Sequence, residues 1–191
     1  MLKIILTVDN ASQERLDNAT NLATAIEGEV YIANHLKCSV RGFTDICRKA
    51  VELDEDLLVL EDDVELCTDF LSKVEKAIGK YPNELINFYN MSNSKVTKKL
   101  SGIKFLWNQC LYIPVDICRL IVEMSEPFLK QYPIHRMNQD VLIKHCLNIE
   151  GLSYVQHYPS LVQHKSWVST IDSGRSTNRQ TTRQTDSFNG E

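Results

Sequence analysis

The stretch LLVLEDDVEL, residues 57 to 66, ends an apolar run on three consecutive carboxylates, Glu61, Asp62 and Asp63. Like charges at that density repel, so they cost stability unless something positive stands against them. Hard carboxylate oxygens suit Mg²⁺ or Mn²⁺, which would neutralise the repulsion and bridge to the phosphates of a ligand. The alternative is an acidic turn capping the next helix, a common use of such residues.

Which use applies depends on the elements that carry the acids. Residues 2 to 8 (LKIILTV) read as a buried strand, and 11 to 26 place Leu16, Ala19, Leu22, Ala23 and Ile26 at helical spacing. EVYIA (29 to 33) is a short strand, 41 to 53 a second helix, and DLLVL (56 to 60) the next strand. A helix near 67 to 79 and a strand at ELINFY (84 to 89) continue the alternation. That order predicts an α/β fold: a single Rossmann-like domain with a mostly parallel central sheet flanked by helices. Ligands of such sheets sit beyond the carboxyl ends of the strands, where LLVL delivers its acids.

The second half changes character. Residues 91 to 102 (MSNSKVTKKLSG) are polar and read as a loop, followed by short strands at IKFLW and QCLYI. A helix follows Pro114, another lies near 138 to 148, and a strand surrounds Tyr154 and Val155. From Asp172 onward the chain has almost no apolar side chains, so it cannot offset its ordering entropy and is expected to be disordered or partner-dependent. The expected organisation is one domain over 1 to 171, with a ligand-binding half (1 to 90), a catalytic half (91 to 171), and a tail (172 to 191).

Bulk composition narrows the classes. With 191 residues, 43% of them hydrophobic, the chain suits one well-packed core. A net charge of −4 offers no global basic footprint for nucleic acid or an anionic membrane. Cys38, Cys47, Cys67, Cys110, Cys118 and Cys146 include no CxxC pair, and read as buried hydrophobes in a reducing compartment. The apolar start MLKIILTV runs straight into Asp9, so neither a signal peptide nor a spanning segment is visible, and a soluble cytoplasmic protein is expected.

EDD after a hydrophobic strand resembles the DxD-type motif of GT-A-fold glycosyltransferases. TVDNASQERLDNATNL is similar to the opening of the lipooligosaccharide and procollagen galactosyltransferase family. HLKCSVRGFTDICRKA resembles that family's cysteine-containing helix, and WNQCLYIPVDICRLIV its later strand and helix. PSLVQHKSWVSTI is closer to the C-terminal P-S-L-x-Q-H segment of the branching N-acetylglucosaminyltransferases. The resemblance spans residues 1 to 171, with EDDV and PSLVQH its most specific pieces. The G-C-x-x-S-H pattern is absent around Cys38.

The resemblance implies a metal-dependent, inverting transfer of a sugar from a nucleotide-sugar, a UDP-sugar by expectation, to an acceptor hydroxyl. Mn²⁺ or Mg²⁺ held by Asp63, with Glu61 and Asp62 orienting donor and ion, would stabilise the diphosphate leaving group. His164 is the expected second metal ligand, the alternative being a packing histidine. Thr7, Val8 and Asp9 are expected to line base and ribose, and Arg15 to meet the nucleotide unless it is a solvated helix residue. Arg41 and the free N–H groups of its helix suit a pyrophosphate. Asp140, chosen over Asp45, Asp69 and Asp116, is the expected general base, although an Asp in a first helical turn most often stabilises the helix dipole. Trp107 and Trp167 flank the expected catalytic segments; core packing suits Tyr112, while Trp167, set among Lys165, Ser166 and Ser169, is harder to bury and is the expected acceptor-side aromatic.

Three classes remain at this point: the glycosyltransferase, a catalytically silent nucleotide-sugar or glycan-binding module, and a metal-dependent phosphoryl-transfer enzyme. The last is weakened because no GxxxxGK[ST] loop is present and the acids form one compact cluster. A glycan is the expected acceptor. Hydroxymethylated DNA is a minority option resting on Lys95, Lys98, Lys99, Arg175, Arg179 and Arg183, against the acidic overall balance.

Overall fold

The computed structural model describes residues 1–34, 39–91, 95–132, 138–165, 167, 185, 188 and 190. In chain order these form β1 (Leu2–Val8), α1 (Gln13–Ile26), β2 (Glu29–Ala33), α2 (Ser39–Leu53), β3 (Leu57–Glu61), β4 (Val64–Leu66), α3 (Phe70–Lys80) and β5 (Ile86–Asn87). Then come β6 (Lys98–Ser101), β7 (Cys110–Ile113), α4 (Val115–Gln131), α5 (Gln139–Ile149), β8 (Ser153–Gln156) and β9 (Val162–His164).

Seven strands make one sheet in the order β2-β1-β3-β7-β5-β8-β6, while β4 and β9 pair separately. β1, β2, β3, β5 and β8 share one direction, and β7 and β6 run against them. The sheet is therefore mostly parallel, as the alternating pattern predicts.

Alternation along the strands divides the core into two layers. Ile4, Leu57, Val59, Leu111 and Ile113 face α2, α4 and α5, packing on Val40, Phe43, Ile46, Cys118, Ile121, Phe128 and Leu142. Ile5, Leu58, Leu60, Cys110 and Tyr112 face α1 and α3, packing on Leu22, Ile26, Phe70 and Val74. The helical pattern of residues 11 to 26 yields α1, whose start is set by the Ser12 hydroxyl accepting from the Arg15 N–H at 3.4 Å. Cys47, Cys67, Cys110, Cys118 and Cys146 are free and buried; Cys38 lies outside the described residues.

Three segments differ from their sequence reading. Lys98 to Ser101, expected within a loop, form β6, which pairs with β8 on one side only; a lysine-bearing strand is what an exposed edge tolerates. Its Lys99 pairs with Glu84. IKFLW, expected as a strand, begins in a single 3₁₀ turn at Gly102–Lys104. A Cβ on Gly102 would collide with Leu147, so the close approach of this turn to α5 requires glycine. ELINFY contributes only Ile86 and Asn87 to the ladder, although Phe88 N still donates to Cys110 O at 3.0 Å.

Among the described tail residues, the Thr185 N–H donates to Gln163 Oε1 at 2.9 Å, while Gln163 Nε2 donates to Thr185 O at 3.2 Å. Phe188 packs against the α1/α3-side core, and Gly190 O accepts from Thr68 Oγ1 at 2.7 Å. Of the tail at 172 to 191, expected to be disordered or partner-dependent, all but these three residues lie outside the described residues. No described helix is long and apolar enough to cross a membrane.

Candidate functional site

The turn between β3 and β4 sits at the carboxyl end of the sheet, where Leu6 of β1 is in register with Glu61. Its three acids turn to different partners, with Arg15 shared by Asp62 and Asp63.

Glu61 lies on the same strand face as Leu57 and Val59, toward α5. Its carboxylate accepts from Gln139 Nε2 at 2.7 Å, Asn108 Nδ2 at 3.3 Å and Gln109 Nε2 at 3.3 Å. Asp62 turns to the opposite layer, where Arg15 Nε donates to Oδ2 at 3.1 Å, Arg15 Nη2 to Oδ1, and the Thr7 hydroxyl to Oδ2. Asn18 Nδ2 holds the same turn through Asp62 O at 2.7 Å and Val64 O at 3.2 Å. Asp63 Oδ2 accepts from Arg15 Nη2 at 3.0 Å and lies 3.4 Å from His164 Nε2. The β4–β9 pairing brings His164 there, because Val64 stands opposite His164 in the ladder. Lys165 N adds a bond to Asp63 O at 2.7 Å.

Burial and charge then separate the acids. Loss of solvent and the charge of Asp63 push the Glu61 carboxyl up to about 7, against the pull of His164 and Arg15. Burial also raises Asp62, in spite of its bonds to Arg15. Burial works the same way on Asp63, but there His164 and Arg15 outweigh it and hold the carboxyl below its ordinary range.

The donor set can be tested for a hard divalent ion. Asp63 Oδ1, Gln109 Oε1 and Gln139 Oε1 are buried and have no hydrogen-bond partner among the described residues. Of these, Asp63 Oδ1 is the charged oxygen, the hard donor that Mg²⁺ and Mn²⁺ prefer, and His164 Nε2 stands against the other oxygen of the same carboxylate. No three Asp, Glu, His or Cys side chains form a ready cage among the described residues. An ion here would complete its shell with ligand phosphates and water, as Mg²⁺ ordinarily does. The residues present fit on those terms.

The remaining sequence-predicted positions divide. Thr7 and Arg15 belong to the cluster, but as partners of Asp62; both are buried. Val8 is half-buried and Asp9 exposed past the end of β1, its N–H 3.3 Å from Ala33 O. Arg41 is exposed on α2, over a groove against α4 that Asp45, Arg48 and Glu126 also line. Asp140 accepts from Val141 N at 3.0 Å in the first turn of α5, while its neighbour Gln139 makes the bond to Glu61. Trp167 is half-buried, with Lys165 Nζ 4.7 Å from its ring centroid; the same ammonium donates to Asn18 Oδ1 at 2.7 Å. Trp167 is thereby tied to the turn that carries Asp62. Trp107 packs on the core, and the Tyr112 hydroxyl donates to Asp56 at 2.7 Å.

Sequence reasoning missed Asn108, Gln109, Gln139, Asn18 and Lys165. One signal was present: Asn108 and Gln109 are a polar pair set immediately before an apolar strand, the mirror of EDD set immediately after one.

No protein-family model matches the chain, and no curated protein matches it in sequence. Solved structures do. A197 from STIV superposes with a TM-score of 0.55 at 11% identity, covering 88% of this chain and 87% of that one. A glycosyltransferase involved in the glycosylation of the major capsid of PBCV-1 gives the same TM-score and identity over 94% of this chain and 97% of its own. At that identity the shared property is the fold, an α/β architecture common to both structures over nearly the whole length of this chain.

Proposed function

We propose that the protein is a metal-dependent glycosyltransferase that moves a sugar from a nucleotide-sugar, a UDP-sugar in our reading, to an acceptor hydroxyl with inversion. The observation that carries this is Asp63: its Oδ2 is shared by Arg15 and His164, while its buried Oδ1 has no partner among the described residues. The similarity in fold to a glycosyltransferase over 94% of this chain supports the same reading.

Asp63 and His164 are the residues that would hold Mn²⁺ or Mg²⁺. When bound, the cation would neutralise the diphosphate as it leaves. Asp62 takes a different role from the one the motif suggests: with both oxygens bonded to Arg15 and Thr7, it fixes the turn so that Asp63 keeps its aim. Arg15 correspondingly anchors carboxylates. Thr7, Val8 and Asp9 at the end of β1 would border the nucleotide, and Arg41 at the start of α2 would meet its pyrophosphate. Asp140 would take the proton of the acceptor hydroxyl, with Trp167 stacking on the acceptor ring. A glycan is the proposed acceptor.

The test is incubation with a panel of nucleotide-sugars and Mn²⁺, reading release of the nucleoside diphosphate. Release that is lost in Asp63→Ala is expected. Tight binding without turnover would instead make the protein a silent binding module, and cleavage between phosphates a phosphoryl-transfer enzyme. Acceptor binding that collapses with rising salt would move the acceptor from glycan to modified DNA.

A further inference from the structure

We propose that Gln109 and Gln139, with Asn108 and Glu61, form the subsite that reads the hydroxyl groups of the transferred sugar and so decides which sugar is accepted. This rests on the transferase reading for the claim that the sugar arrives on a nucleotide.

Gln109 is 4% exposed and Gln139 6%, and each turns its Nε2 to a different oxygen of the Glu61 carboxylate. In both bonds the amide NH₂ donates and the Glu61 oxygen accepts, which leaves the two carbonyl oxygens turned elsewhere. Those two oxygens are buried with no hydrogen-bond partner among the described residues. Buried acceptors left unmatched are costly, and two beside one carboxylate mark a place that waits for hydrogen-bond donors.

The chemistry of the ligand follows. A phosphate or carboxylate would face carbonyl oxygens and a carboxylate, all of the wrong sign. An aliphatic chain would leave the same acceptors unmatched. A polyhydroxylated ring presents an O–H to each oxygen, and its own oxygens can accept from Asn108 Nδ2, which lies 3.3 Å from Glu61. The two glutamines come from separate elements, Gln109 from the residue before β7 and Gln139 from the first residue of α5. The Gln139 N–H is itself anchored to Ser39 Oγ at 3.3 Å. Acceptors fixed in this way discriminate strongly, because an analogue lacking the matching hydroxyl leaves them bare.

The test compares UDP with UDP-hexoses by titration calorimetry in Mn²⁺, using wild type, Gln139→Met and Gln109→Met, each checked for folding by thermal melt. Methionine keeps the length of glutamine and removes the acceptor. A UDP-hexose should bind wild type about tenfold or more tighter than UDP, in line with the selectivity of sites that hydrogen-bond a hydroxyl. Each variant should shrink that gap, with the affinity for UDP unchanged. The deoxy analogue that wild type rejects should lose no further affinity in the variant that contacts that position. A gap that survives both substitutions overturns the subsite and leaves the transferase reading intact. Loss of UDP and Mn²⁺ binding together in the variants also overturns it, since the amides would then serve the cation. Should wild type bind no nucleotide, the transferase reading fails, and saturation-transfer NMR with free methyl hexosides decides the subsite. Signals lost in both variants support it, and absence of signal in wild type overturns it.

Discussion

Arg15 and Asp62 form a two-point guanidinium–carboxylate pair between α1 and the turn after β3, with 7% and 2% of their surfaces exposed. Arg15 Nη2 extends to Asp63 at 3.0 Å, so one cation spans two of the three acids. Their repulsion is thereby met by a residue of the chain itself, and Glu61 is left to neutral donors. Charge-assisted forks of this kind combine strength with fixed geometry.

Removing Arg15 therefore strands two buried carboxylates. Arg15→Ala is expected to destabilise the fold by about 3–5 kcal/mol, the usual cost of breaking a buried ion pair from one side. Arg15→Lys should recover only part of this, because an ammonium cannot fork. Urea denaturation of the three proteins checks it. An alanine variant within about 1 kcal/mol of wild type would show that the pair does not hold the turn.

Glu61 predicts a pH dependence. Its carboxyl is raised from 4.5 to about 7, so the folded state keeps this proton to higher pH than the unfolded state does. The group costs nothing below about pH 4.5, and its cost grows as pH rises toward 7. Glu61→Gln cannot ionise. Measured in a chelating buffer, the stability of the variant relative to wild type should rise between pH 5 and pH 8 by up to about 3 kcal/mol, since a tenfold difference in proton affinity between the folded and unfolded states is worth about 1.4 kcal/mol. A difference that is flat with pH, or falls, contradicts the burial of this charge.

Much of this was legible in the sequence, for identifiable reasons. β1, β2 and β3 are short apolar runs between helices of clear period, so local pattern and tertiary role agree. EDD stood out because its charges break a hydrophobic run. What local pattern could not carry was partnership across the chain. Nothing within VEL or VQH announces that Val64 will stand opposite His164, the pairing that delivers the histidine to Asp63. Nor does the Asp140 segment reveal that Gln139 is the residue facing Glu61, since one step along a helix turns a side chain by about 100°. β6 was hidden because an edge strand needs few apolar residues.

Metal dependence should appear in stability as well as in turnover. A ligand that binds only the folded state raises the melting temperature. Mn²⁺ with UDP is expected to raise the Tm of wild type, and EDTA to reverse it. Asp63→Asn keeps shape and one acceptor but removes the charge, so it should abolish the rise; His164→Ala should reduce it. A full rise in Asp63→Asn would place the cation on other residues.

Gln163 exchanges two hydrogen bonds with the backbone of Thr185, 2.9 and 3.2 Å long, and the Thr185 hydroxyl donates to Asn90 O. Gln163 neighbours His164 on β9, whose partner strand β4 follows directly from the acidic turn. β9 is three residues long and among the described strands pairs with β4 alone, so the contact with Thr185 adds to what keeps it in place. Truncation after residue 184 removes these bonds at about 1 kcal/mol each. It is expected to lower stability by about 1–3 kcal/mol and to speed amide exchange in β4 and β9, with β1 and β3 unchanged. If His164 serves Asp63, the Mn²⁺-dependent rise in Tm should weaken in the truncated protein too. Undisturbed exchange in β9 would mean that the tail rests on the strand without supporting it.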